Sequence, residues 1–228
     1  MLNPALQLAA FTMIGSYIGS QPASYYAVGN AVHSMARASI FSATVVIGAE
    51  RSNGTLSTLL ATPSRPIVIF GGRLIPALVT GYLSSIIMLA LATTFTGATV
   101  PLAGVPMILL TIFLVALSCS ALGLCLGAAS LYLRDVFFLP NVSIYGMMLF
   151  CGVNLTSAEN PAGESFARLI PLTNGLHAIR EVMMGHQAPL SALATELGLA
   201  TVYALVAMIL VHVFAQRARV TASLDLGA

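Results

Sequence analysis

No charged residue interrupts the chain between Arg73 and Arg134, and within that stretch lie two apolar runs, 74–96 and 104–129, parted by a turn at 97–103. About 20 residues rising 1.5 Å each cross a hydrocarbon core, so either run can span one as a helix. Lipid gives the backbone no water to bond, which leaves helices and closed barrels as the spanning structures. Barrel strands would read as alternating segments of about ten residues, and no such segments occur. Composition agrees: 58% of the 228 residues are hydrophobic and 7% are charged, against about 25% charged in soluble domains. The chain reads as an all-α integral membrane protein, and its net charge of +2 is too small to point to nucleic acid.

Four further runs bring the expected spans to six: 5–20, 26–48, 74–96, 104–129, 136–156 and 191–214. The first is short for a span. All nine basic residues are arginine, and their placement orients the bundle by the positive-inside rule. With both termini in the cytoplasm, Arg51, Arg65, Arg73, Arg134, Arg217 and Arg219 fall inside, and Arg168 and Arg180 fall outside. The outer connection 157–190 mixes prolines with apolar pieces too short to cross, so 164–170 and 175–184 read as short re-entrant or interfacial helices. Thr173 or Asn174 could cap the second of them, with Arg180 and Glu181 near water.

The polar island ERSNGTLSTLLATP, residues 50–63, stands apart from these runs. Leu56, Leu59 and Leu60 recur at i, i+3 and i+4, so a short helix over about 52–62 would have one apolar face. Glu50 and Arg51 precede it, Gly54 permits a sharp entry, and Pro63 stops it. Such a helix either presses against a partner or rests on the headgroups.

Several chemistries are excluded. A phosphate-binding loop needs its lysine, and the chain has none. HExxH, GxSxG and paired carboxylates inside a span are also missing, so no catalytic residue and no metal site is expected. Cys119, Cys125 and Cys151 all fall in apolar runs and read as small buried hydrophobes. The acids Glu50, Asp135, Glu159, Glu164, Glu181, Glu196 and Asp225 read as loop, span-end or tail residues, which leaves no mid-membrane carboxylate for an ion-coupled carrier.

The second span carries the one intramembrane charge. His33 and Arg37 lie one turn apart, and Asn30, Ser34, Phe41 and Thr44 extend their face. A lone arginine at mid-membrane costs about 2.5–3.5 kcal/mol on insertion scales, so it should face the protein interior. The stripe could line a translocation path and touch an anionic substrate, or it could bond a neighbouring helix. Gly15/Gly19 and Gly123/Gly127 have the spacing that lets helices approach closely, chiefly within one subunit.

Residues 48–74, GAERSNGTLSTLLATPSRPIVIFGGRL, resemble the cytoplasmic signature of ABC-2 type transporter permeases. Glu50, Arg51, Gly54, Thr55, Leu56, Leu59, Leu60, Pro63 and Arg73 match it in order. The run LIPLTNGLHAIREVMMG is similar to the family's outer segment before its last span, with Pro171, Leu172, Thr173, Arg180 and Gly185 as counterparts. Six spans, cytoplasmic termini and a long fifth-to-sixth connection fit as well. Two departures stand out: few residues precede the first span, where the family usually has an amphipathic helix, and Ser57 occupies a position where an acid is common.

The resemblance implies a permease subunit of an ATP-binding cassette exporter in a bacterial plasma membrane. Two permease copies, identical or not, would pair with two copies of a nucleotide-binding ATPase subunit. ATP and Mg would bind to that partner, and this chain would hold no cofactor and perform no chemistry. The segment 52–62 would be the coupling helix, docking in a groove of the ATPase through Leu56, Leu59 and Leu60. Asn30, His33, Arg37 and Thr44 are candidates for the path, and a small amphipathic drug, antibiotic or lipid-like molecule is the expected substrate. An ATP-independent carrier or channel is the alternative, and a membrane-embedded assembly factor is a third reading.

Overall fold

A computed structural model describes residues 2–18, 21–54, 66–130, 135–154 and 167–221. These form seven α-helices and one 3-10 turn, with no strand among the described residues. In chain order the helices are α1 (Leu2–Ile18), α2 (Ala23–Ser52), α3 (Pro66–Thr96), α4 (Val105–Ser130), α5 (Phe138–Phe150), α6 (Thr173–Met183) and α7 (Leu190–Thr221), and the 3-10 turn Leu102–Gly104 leads into α4.

Among the described residues four helices are long and apolar enough to cross a membrane: Ala23–Glu50, Leu74–Thr96, Leu102–Ala129 and Leu190–Val213. They coincide with four of the expected spans, and their share of burial divides them. The apolar windows of α2 and α4 are each 67% buried, against 28% for α3 and 22% for α7. So α2 and α4 form the centre and α3 and α7 flank it. Ile75, Val79, Leu83 and Ile87 form an exposed stripe along α3 at every fourth residue, the face that would meet lipid.

Glycine sets the central contact. A Cβ on Gly123 would lie 2.6 Å from the Ile40 carbonyl oxygen, and one on Gly127 would lie 3.2 Å from the Thr44 Cα. Thr44 then donates its hydroxyl to the Gly123 carbonyl at 3.1 Å. The Gly123/Gly127 pair therefore packs α4 on α2 within one chain. Gly15 meets the Tyr26 ring in the same manner, and Gly19 lies outside the described residues.

The fifth span is shorter than the sequence predicts. Expected over 136–156, the fifth ends as a helix at Phe150, and 13 residues reach only about 20 Å. The cause is a built helix stop. Cys151 donates its N–H to the Met147 carbonyl at 2.9 Å, and Gly152 turns left-handed at φ +72. The next two carbonyls, Gly152 and Val153, are both taken by the Arg180 guanidinium. At its start α5 is set by Asp135, whose carboxylate accepts the Phe137 N–H at 2.8 Å.

Of the two short helices expected between the fifth and sixth spans, α6 is the second, and the first, 164–170, lies partly outside the described residues. Ala167 has a helical backbone, 168–172 form turns, and 155–166 lie outside the described residues. One face of α6, with Leu176, Ile179 and Val182, is buried against α4 and α7. Its end is closed by Gly185 N–H on the Val182 carbonyl (3.0 Å) and His186 N–H on the Glu181 carbonyl (3.0 Å).

Candidate functional site

Three regions carry the polar chemistry: the island after α2, the stripe along α2, and the junction of α6 with its neighbours.

At the island, α2 runs through Glu50 and Arg51 to Ser52, the start expected for the next helix. Asn53 N–H bonds the Ala49 carbonyl at 2.9 Å, and Gly54 takes φ +67. This is the left-handed position that stops a helix and redirects the chain, and glycine holds it without steric cost. Gly54 thus makes the sharp turn its place in the sequence requires. Thr55, Leu56, Leu59, Leu60 and Pro63, and the body of the expected helix 52–62, lie outside the described residues.

The stripe on α2 divides into contacts and a lining. Asn30 is 3% exposed and donates to the Tyr26 carbonyl and to Asn154 Oδ1, both at 2.8 Å. His33 is 2% exposed and bonds the Ile144 carbonyl of α5 through Nε2 at 3.1 Å, with the ring N–H as the donor. Thr44 holds α4. These three join helices. Arg37 differs: it is half-buried, and its Nη1 donates to Gln7 Oε1 of α1 at 2.9 Å. It borders two cavities. One of about 560 Å³ lies between α1, α2 and α5, with Phe11, His33, Asn141 and Tyr145 in its walls. The other, about 270 Å³, lies between α1, α2 and α3, with Gln7, Ser34, Ser42 and Ser84.

At the α6 junction the arrangement differs from the expectation. Arg180 is not turned to water. Its Nη1 donates to the Gly152 carbonyl at 2.9 Å, and its Nη2 to those of Tyr25 (3.1 Å) and Val153 (3.3 Å). The guanidinium lies 3.5 Å from the Tyr25 ring centroid, a cation–π contact. Burial, the largest influence, lowers its pKa to about 10, and the Tyr25 contacts work the other way. Gly29 makes the approach possible, since a Cβ there would lie 2.5 Å from the Val153 oxygen. One side chain therefore ties α6, the end of α5 and the start of α2 together. Glu181 is paired nearby with His186 Nδ1 at 2.9 Å.

Thr173 and Asn174 do not cap α6 either. Their side chains donate backward, to the Ala167 carbonyl at 2.7 Å and the Arg168 carbonyl at 3.1 Å. The cap comes from α7: Glu196 Oε1 accepts the N–H groups of Leu172 (3.0 Å) and Gly175 (3.1 Å), and Oε2 accepts the Ser118 hydroxyl at 2.8 Å. Glu196 is fully buried. A carboxylate at a helix N-terminus satisfies orphan donors and meets the positive end of the dipole. Reading it among loop and span-end acids missed this, although an acid seven residues into a span is itself a signal. Pro171 is buried beside it, its carbonyl 3.9 Å from Cys151 Sγ. Tyr25 and Gln7 are the other residues missed, and nothing in their spacing marks them.

Cys119 and Cys151 are buried and Cys125 is half-buried, and all three are free thiols. Among the described residues no cluster of His, Cys, Asp or Glu could hold a metal ion. Residues 2–184, from α1 to the end of α6, match the family described as ABC-2 type transporter. No curated protein matched the chain.

Proposed function

The chain belongs to the ABC-2 type transporter family, a multi-pass permease-type component, and we propose that it is the transmembrane subunit of an ATP-binding cassette exporter. In this reading α1 and α5 complete six spans, both termini are cytoplasmic, and the membrane is a bacterial plasma membrane. Two copies, or this chain and a second permease, pair with two ATPase subunits. ATP and Mg bind to those partners, and the present chain supplies the path. Its cargo is a small amphipathic drug, antibiotic or lipid-like molecule.

The observation that carries this reading is the island. A family permease needs a firm connection between a span and a docking helix. Here α2 continues unbroken to Ser52 and turns at Gly54 into the segment bearing Leu56, Leu59 and Leu60. A push on those leucines would pass straight into the central helix.

Glu196 bears on the carrier alternative. A buried carboxylate is what an ion-coupled carrier uses, but both oxygens of this one already accept hydrogen bonds. That occupancy favours the exporter reading.

Co-expression with a nucleotide-binding ATPase subunit from the same cell tests it. Affinity-purified permease should bring the ATPase down, and Leu59→Glu or Leu60→Glu should abolish the association while the permease stays monodisperse. Transport into liposomes without nucleotide would overturn the reading in favour of a carrier.

A further inference from the structure

We propose that the cavity at Arg37 binds the negatively charged head of an amphipathic anion, so that the cargo or lipid held there is acidic rather than neutral or cationic.

Arg37 stands midway along α2, in a helix long and apolar enough to cross a membrane. A guanidinium stays charged and offers five N–H donors. Its side-chain partner is Gln7, a neutral amide that takes one of them. Among the described residues no carboxylate is in salt-bridge contact with Arg37. A cation held in an apolar slab by a neutral partner is an uncompensated charge. An anion entering the adjoining cavity would offset it, through the bidentate geometry that guanidinium gives to carboxylate or phosphate.

The walls define the rest of the ligand. The larger cavity, about 560 Å³, is within the range that takes a drug-sized molecule. Leu6, Phe11, Phe41 and Tyr145 supply apolar and aromatic surface, while His33 Nε2 is committed to the Ile144 carbonyl. One charged point among aromatic walls selects an apolar body with a single acidic head. The same positive charge opposes a cationic amphiphile.

The inference rests on the permease reading only in calling the occupant cargo. Binding is measured on the full chain alone, without ATPase or nucleotide, so either idea can fail without the other. The probe is 11-(dansylamino)undecanoic acid, with its uncharged primary amide as the comparison, titrated into phosphatidylcholine nanodiscs and followed by dansyl fluorescence. The acid should bind about tenfold tighter than the amide, the scale of a charge-assisted bidentate contact. Arg37→Gln should erase that preference, and Arg37→Lys should keep most of it. Gln7→Leu separates ligand contact from helix packing: it breaks the bond to α1 yet leaves the cation, so the preference for the acid should persist. Equal binding of acid and amide by the wild type overturns the proposal, and so does loss of the preference in Gln7→Leu. Phosphatidylglycerol added to the nanodiscs identifies the source. Displacement of the probe assigns the site to an anionic lipid, and undisturbed binding assigns it to a smaller acidic cargo; both retain the anion site.

Discussion

Glu196 accepts the N–H of Leu172 at 3.0 Å, and Leu172 is the one non-glycine residue with positive φ among the described residues, at 92°. A side chain in that region costs of order 1–3 kcal/mol and persists only where its surroundings over-determine it. Here the surroundings are specific. Leu172 is fully buried, its N–H points at a carboxylate from another helix, and its carbonyl accepts the Leu176 N–H at 2.8 Å. The strain sets the angle at which α6 enters the protein, and α7 holds it there.

Glu196→Leu should therefore be costly. It strands the N–H groups of Leu172 and Gly175, each worth about 1–3 kcal/mol when buried without a partner, while the Ser118 hydroxyl keeps the Val115 carbonyl at 3.1 Å. Glu196→Gln keeps an acceptor for the N–H pair and should lose about 1 kcal/mol. Thermal unfolding of the two variants in detergent separates them. Equal midpoints for Glu196→Leu and the wild type would rule out the capping role.

Arg180→Lys should act as a loss rather than a conservative change. A point charge cannot reach three carbonyls on two segments and lie on the Tyr25 ring at once, and the expected loss is about 2–4 kcal/mol. Cys151, 2% exposed beside the Arg180-bound Gly152, reports it directly. Maleimide labelling of Cys151 should accelerate in Arg180→Ala, while Cys119 in the body of α4 stays protected. Unchanged labelling of Cys151 would count against the tie.

Gly175→Ala should disrupt the seat of α6, because the added methyl collides with the Val115 side chain of α4. Overpacking of this kind costs about 1–3 kcal/mol. The second change Val115→Ala should recover a large part of the loss, measured as a double-mutant cycle in thermal stability. No recovery would mean that the approach of α6 to α4 is not as close as described.

Thr44→Val should cost only about 0.5–1.5 kcal/mol, the value of one hydrogen bond, and leave transport activity intact. Its hydroxyl serves the Gly123 carbonyl and borders neither cavity at Arg37. A transport defect without a stability defect in Thr44→Val would return it to the path.

The long helices were legible because an apolar run of about 20 residues leaves lipid-facing backbone no other solution. Gly123 and Gly127 were legible for a similar reason, since four-residue spacing puts two absent side chains on one face. What escaped was whatever depends on a partner distant in sequence. The stop of α5 at Phe150 is completed by Arg180, 28 residues beyond Gly152. The cap of α6 comes from Glu196, 24 residues beyond Leu172. Local rules pointed to Thr173 and Asn174, which are sound capping residues, and a carboxylate from another helix took their place. Arg180 beside Glu181 looked like a wet pair, yet adjacent helical residues point in different directions. Arg180 turns inward to the ring of Tyr25, and Glu181 bonds His186.

The unbroken length of α2 has a mechanical consequence. Thirty residues without a proline make a rod about 45 Å long. Tyr25 near one end is gripped by Arg180, and Gly54 bends the chain just past the other. If the Arg180 grip is the fulcrum, a tilt of about 10° swings the far end by about 8 Å over that length. A swing forced at the island and a shift of about half that size at mid-membrane are then one movement of one lever, hinged where Arg180 holds it.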